Sequence, residues 1–112
     1  MIGVQTPFRI SFAGGGTDLP SYYKKYGGKV ISTSIDKYMF HFIHKFHDSQ
    51  IQIKYSITEN VTDSSKIKHP IVREASKIYD LSGLDINSIA DIPKGTGLGS
   101  SSAYTVGLVH GL

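Results

Sequence analysis

Pro93-Lys94-Gly95-Thr96-Gly97-Leu98-Gly99-Ser100-Ser101-Ser102-Ala103 decides how the rest of this chain is read. Three glycines alternate with other residues, and three serines then open a segment that reads as a helix. Glycine tolerates positive φ and lets the backbone approach a ligand closely. A helix start has unpaired N–H groups and a partial positive charge. The combination predicts an anion site suited to phosphate, with serine hydroxyls as added donors and one within reach of a nucleotide-borne Mg²⁺. Other phosphate and nucleophile patterns fail here. No Gly-Lys-Ser/Thr triplet is present. Ser102 stands where the last glycine of G-x-G-x-x-G would fall. A G-x-S-x-G elbow is missing as well.

Working outward, the chain has 112 residues, enough for one small domain with a modest core. Its formal net charge is +3, with no long basic run and no nucleic-acid motif, so nucleic acid is not an expected partner. There is no cysteine, which excludes disulfides and thiolate metal sites. The N-terminus has no signal-peptide pattern, and no apolar run is long enough for a membrane span. A cytoplasmic setting is the expectation.

Residues 2–13 alternate around Phe8, Ile10 and Phe12 and predict a strand. Residues 14–18 read as a loop. Residues 19–26 read as a short helix with Asp18 as cap and Pro20 in the first turn, ended by Gly27-Gly28. Residues 29–46 form a long β-rich run. On it, Met39, His41 and Ile43 share one face, while His44 points to the other. That alternation speaks against a zinc site built from His41, His44 and His47. Residues 51–57 alternate again, with Asp48-Ser49-Gln50 as a hairpin turn. Residues 58–69 read as a polar loop, and 70–79 as a helix with Ile71, Ala75 and Ile78 on its apolar stripe. Residues 86–92 read as the last strand. Strands and helices in this order predict an α+β fold. Tyr22, Tyr23 and Tyr26 read as packing or a solvated helix face, and Asp36-Lys37 as an ion pair or turn at a strand edge.

The stretch from Pro93 to Ala103 resembles the phosphate loop of the GHMP kinases, which includes galactokinase, homoserine kinase and mevalonate kinase. The resemblance implies an N-terminal lobe of the ribosomal protein S5 domain 2-like type. It implies ATP and Mg²⁺ as cofactors, held by Gly95, Thr96, Gly97, Leu98, Gly99, Ser100, Ser101 and Ser102, with Ser101 the Mg²⁺ contact. Two positions depart from the family pattern. Lys94 often corresponds to a small residue, and Ser102 replaces the usual Ala, which leaves open which serine meets the metal.

A second motif, Thr6-Pro7-Phe8-Arg9-Ile10-Ser11-Phe12-Ala13-Gly14-Gly15-Gly16-Thr17-Asp18, is similar to the family's sugar-binding segment. Carried over, Arg9 serves catalysis near the transferred phosphoryl group, and Asp18, Thr17 and Gly16 bind sugar. Galactokinases have Glu and His where this chain has Gly15 and Gly16. The Gly-Gly-Gly-Thr-Asp-Leu-Pro form is closer to bacterial sugar kinases that phosphorylate the anomeric hydroxyl of heptose 7-phosphate. Stretches 34–38, 69–75 and 88–93 add to that likeness. The implied function is an ATP-dependent sugar kinase. Two alternatives share the loop: a decarboxylase of the mevalonate diphosphate type, and a non-catalytic nucleotide-binding module. The expected organisation is one partial ATP-binding domain over 1–112, truncated in or after the phosphate-loop helix and lacking its C-terminal lobe. The catalytic Asp and a carboxylate Mg²⁺ ligand are expected beyond residue 112. Such a fragment is expected to be inactive by itself and to expose Val106, Leu108 and Val109. Nothing in the residues fixes an oligomeric state.

Overall fold

The computed structural model describes residues 1–112, with a five-stranded sheet and three α-helices. The strands are β1 (Ile2–Ala13), β2 (Ile31–Lys45), β3 (Ile51–Lys54), β4 (Thr58–Val61) and β5 (Leu84–Ala90). The helices are α1 (Pro20–Tyr26), α2 (Pro70–Tyr79) and α3 (Ser100–Gly111). The α+β expectation holds, and strand order is β1-β2-β5-β3-β4.

The hairpin expected at residues 48–50 does not form between β2 and β3. Gln50 N donates to Asp48 Oδ1 at 2.7 Å in a tight turn, but β5 inserts between the two strands, antiparallel to β2 and parallel to β3. The reason lies in one row of side chains. Ile86 is the register partner of both Ile43 and Ile53, and all three are buried. Direct pairing of β2 and β3 would leave Ile86 without that seat. Burying such a side chain contributes about 1.5–3 kcal/mol.

Strand β4 occupies part of the expected loop. Its only buried residue is an acid, Glu59, so the apolar alternation that marks a strand is missing. The carboxylate is satisfied by three donors: Tyr55 Oη at 2.7 Å, Lys68 N at 2.7 Å and His69 N at 3.0 Å. Burial pushes the Glu59 pKa up, but these bonds outweigh it, and the net shift is downward.

The N-terminal segment departs in a smaller way. Gly15–Asp18 is a 3-10 turn, and the cap of α1 is Leu19, with no side-chain bond. Asp18 lies one residue too early to cap a helix that starts at Pro20. Helix α2 has the expected bounds, with His69 as its cap, but Ile78 is exposed and the inner stripe is Val72, Ala75 and Ser76. Along β2, Met39, His41 and Ile43 are buried while His44 is exposed, as strand alternation requires. Asp36 and Lys37 lie within β2 in no ion pair of their own. Opposite Phe8, β2 carries Ile35, Asp36 and Lys37 between the pairs Pro7↔Tyr38 and Arg9↔Ser34. This bulge bends the ladder where Phe8 enters the core.

Helix α3 lies on β1 and β2 with Ala103, Tyr104, Gly107, Leu108 and Gly111 inward. Leu108 is fully buried, against the expectation of exposure, while Val106 and Val109 are exposed. Glycine sets the contact distance. A Cβ at Gly107 would lie 2.6 Å from Thr6 Oγ1 and 2.7 Å from His41 Cδ2.

Candidate functional site

The chain leaves β5 through Asp91, whose amide donates to Tyr38 O at 3.0 Å and whose Oδ2 accepts from Tyr38 N at 2.9 Å. This double tie starts the loop from a fixed point on β2. Gly95, Gly97 and Gly99 then have φ of 85°, 74° and 76°. Those values are in the left-handed region, which favours glycine. Thr96 Oγ1 bonds Pro93 O at 3.3 Å inside the loop. The far end is clamped to β1 by Arg9 N donating to Leu98 O at 3.1 Å.

Gly99 caps α3 without a side-chain bond, and the first helical bond runs from Ala103 N to Gly99 O at 2.9 Å. The amides of Ser100, Ser101 and Ser102 precede it and face outward as donors. The Arg9 side chain lies across this point. A Cβ on Gly99 would sit 3.2–3.4 Å from Arg9 Cγ, Cζ and Nε. No carboxylate pairs with Arg9. Free amides, the positive end of α3 and an unpaired guanidinium therefore converge, and this arrangement attracts an anion.

Beneath the loop lies a cavity of about 740 Å³. Its walls include Tyr55, His69, Ser88, Pro93, Lys94 and Tyr104, and Ser100 and Ser101 stand at its rim. Ser102 does not line it. The His69 ring stacks on Tyr104, with centroids 4.6 Å apart and planes 22° apart, and Tyr55 meets His69 edge-on at 4.6 Å. Burial pushes the His69 pKa down and the Tyr104 pKa up, so both are held neutral. Desolvation, aided by the bond to Glu59, pushes Tyr55 up to about 12.

The structure thus brings Arg9 onto the loop formed by Gly95, Thr96, Gly97, Leu98, Gly99, Ser100, Ser101 and Ser102. It does not bring the other expected residues into the same cavity. Thr17 and Asp18 line a separate hollow of about 270 Å³ with Tyr23, Gly28, Lys29 and Val30. The Thr17 hydroxyl is engaged by Gly14 O at 2.7 Å and by the backbone of Lys29 at 3.2 Å. The Asp18 carboxylate is exposed and Gly16 has open space around it. Of the cavity-wall residues, Tyr55 and Tyr104 had no local signal, and His69 and Ser88 entered only within the stretches 69–75 and 88–93, with no site role. They converge from β3's exit, the start of α2, β5 and α3. No three His, Cys, Asp or Glu side chains group closely enough to hold a metal by themselves. Ser100 and Ser101 border the cavity at the start of α3, and hydroxyl oxygen is a ligand type that Mg²⁺ accepts beside phosphate. No helix is long and apolar enough to cross a membrane.

Residues 65–112 match the family model described as GHMP kinases N terminal domain. The chain is 32% identical to a D-glycero-alpha-D-manno-heptose 7-phosphate kinase of Campylobacter jejuni, over 96% of this chain and 36% of that protein. Its fold matches a crystal structure of a D-glycero-D-manno-heptose 1-phosphate kinase from Bacteriodes thetaiotaomicron, with TM-score 0.83, 24% identity, 97% of this chain and 40% of that one. It also matches the Methanococcus jannaschii mevalonate kinase, with TM-score 0.73, 19% identity, 96% of this chain and 38% of that one. The chain thus spans little more than a third of the length of these relatives. Residues 65–112 carry the family's N-terminal domain signature, and the whole chain carries its fold.

Proposed function

We propose that this chain, with the fold of a GHMP kinase N-terminal lobe, is the nucleotide-holding part of an ATP-dependent sugar kinase. One observation carries the reading: three left-handed glycines lead into a helix start with no side-chain cap, and Arg9 lies across it. The amides of residues 95–102 hold the triphosphate, and the cavity walled by Tyr55, His69 and Tyr104 takes the base. Phosphoryl transfer needs positioning and charge neutralisation above all. Arg9 neutralises charge on the moving group. Mg²⁺ would shield the phosphates when bound; Ser100 and Ser101 both border the cavity and Ser102 does not, and of the two Ser101 is assigned to the metal on the family likeness. A nucleotide requirement supports a cytoplasmic setting.

Asp18 and Gly16 face the sugar, and Thr17 acts there through the backbone it braces. The acceptor is the anomeric hydroxyl of a heptose 7-phosphate. Likeness to the Campylobacter kinase and the small side of the Gly14–Gly16 segment support that assignment. The 112 residues alone are expected to turn over little or no substrate, since no residue among them is assigned as catalytic base.

Calorimetry with ATP-Mg²⁺ tests the nucleotide half. The Gly97→Val variant places a branched residue at φ of 74° and is expected to bind at least about tenfold more weakly, equivalent to roughly 1.4 kcal/mol. Equal affinity removes the loop assignment. The sugar half is tested with heptose 7-phosphate, galactose, fucose and mevalonate offered side by side to the intact enzyme. Preference for mevalonate removes the sugar-kinase reading, and preference for galactose or fucose removes only the heptose.

A further inference from the structure

His41 is fully buried, yet it is a polar residue in an apolar row between Met39 and Ile43. Its register partner across the β2–β5 ladder is Ser88. His41 Nδ1 lies 2.9 Å from Ser88 Oγ, and Nε2 lies 3.0 Å from Tyr104 O on α3. Ser88 Oγ is in turn 3.3 Å from Tyr104 Oη. The protons follow from donor chemistry. A carbonyl only accepts, so Nε2 carries the proton. In a neutral imidazole Nδ1 then accepts, and Ser88 gives it the hydroxyl proton. Ser88 Oγ is also placed to donate to Tyr104 Oη; because its one proton goes to Nδ1, the phenol supplies the proton of this 3.3 Å contact. Three residues on three elements form one closed ring in which every polar atom has a partner.

The same imidazole is held sterically. Its edge meets the Tyr104 ring at 4.6 Å and 87°. Its Cδ2 fills the space left by the missing Cβ of Gly107, one turn further along α3. A shift of α3 by one residue, about 1.5 Å along its axis, would break both the bond to Tyr104 O and the seat at Gly107. Tyr104 comes three residues after Ser101 and four after Ser100, so it lies directly beneath them on the helix. His41 itself is not part of the cavity wall.

We propose that the His41–Ser88–Tyr104 ring is a positioning device that fixes the axial register of α3 and, through it, the place where Ser100 and Ser101 present their amides and hydroxyls. The inference rests on the anion-binding reading of the loop. His41 and Ser88 act through Tyr104 rather than by touching the phosphates.

The test uses the full chain with inorganic tripolyphosphate as probe, which has no base and so is blind to any contact of Ser88 with one. In ¹⁵N NMR, His41 is expected as a single neutral tautomer protonated on Nε2. Ser88→Ala removes the donor to Nδ1 and is expected to weaken tripolyphosphate about three- to tenfold in the folded protein, the range for one lost hydrogen bond. Ser88→Thr keeps the hydroxyl and is expected to restore affinity. Three results overturn the proposal: an Nδ1-protonated His41, a Ser88→Ala protein that loses stability but binds tripolyphosphate unchanged, or a Ser88→Thr protein no better than Ser88→Ala. If the unaltered chain does not bind tripolyphosphate at all, the loop assignment itself falls and takes this inference with it.

Discussion

Two glycine-rich segments of this chain look alike as text and differ in the fold. In Gly14-Gly15-Gly16 only Gly14 has positive φ, at 91°, and a Cβ there would lie 2.0 Å from Lys29 O. That glycine exists for packing, because two backbone segments meet at it. In the loop before α3, Gly95 and Gly97 have positive φ with nothing within 4 Å of a Cβ. Those glycines leave backbone open rather than filled. The difference teaches that positive φ with empty surroundings at the entry to a helix, unlike Gly27 (φ 74°) at the end of α1, leaves backbone open to a ligand, whereas positive φ with a close backbone contact marks a joint. Gly99 lies between the cases, since the atoms it makes room for belong to Arg9.

The largest effect expected from this contrast is at the joint. Gly14→Ala combines an unfavourable φ with a backbone collision and should cost about 2–4 kcal/mol of folding stability. Urea unfolding reads it, and a midpoint equal to that of the parent protein would erase the distinction between the two segments. Gly99→Ala should be milder for the fold, about 1–2 kcal/mol for the left-handed backbone. It should also shift the Arg9 side chain at the helix start by a few tenths of an ångström, and weaken ATP more than Gly14→Ala does once both are folded. Equal binding losses would mean that Arg9 has no part in the site.

A third test uses acid. His41 and His69 have pKa values lowered by burial in the fold from 6.5, so the unfolded chain binds more protons below that value. Their stability contribution is complete above pH 6.5 and is lost as pH falls toward the depressed folded values. Glu59, lowered from 4.5, adds a second loss below that pH. Both histidines flank Tyr104, so the α3 end should weaken first. Hydrogen exchange between pH 7 and pH 5 checks this, and a Gly14 joint opening before α3 would reverse the expected order. The smallest effect is a split between two neighbours. Ser101→Ala should lower kcat of the intact enzyme by about tenfold or more with little change in nucleotide affinity, whereas Ser102→Ala should change neither. The opposite result would move the metal role to Ser102.

The loop and its helix were legible because their signals are local: three spaced glycines and a serine cluster define a turn and a helix start without reference to the rest of the chain. Strand β1, the inward face of β2 and the bounds of α2 were legible for the same reason, through period and punctuation. What failed depended on distant partners. A polar edge strand built around Glu59 has no apolar alternation to announce it. The insertion of β5 beside β3 follows from the shared seat of Ile86, which no window of sequence displays. Leu108 reads as exposed only until β1 and β2 lie beneath α3. The cavity wall has the same character, since Tyr55 and His69 become neighbours of Tyr104 only after the sheet is complete.

The strand order has a consequence in time. The central strand β5 is the last of the five along the chain, and neither β3 nor β4 touches β2 without it. While a ribosome is still supplying residues 84–90, β1 and β2 can zip together, but β3 and β4 form only an isolated pair, which is marginal in water. Completion must wait for a late segment that closes two long loops at once, and such non-local closure slows folding. A released fragment ending near residue 80 should therefore be readily cleaved by protease across residues 51–61, and the 112-residue chain, which carries β5, should resist.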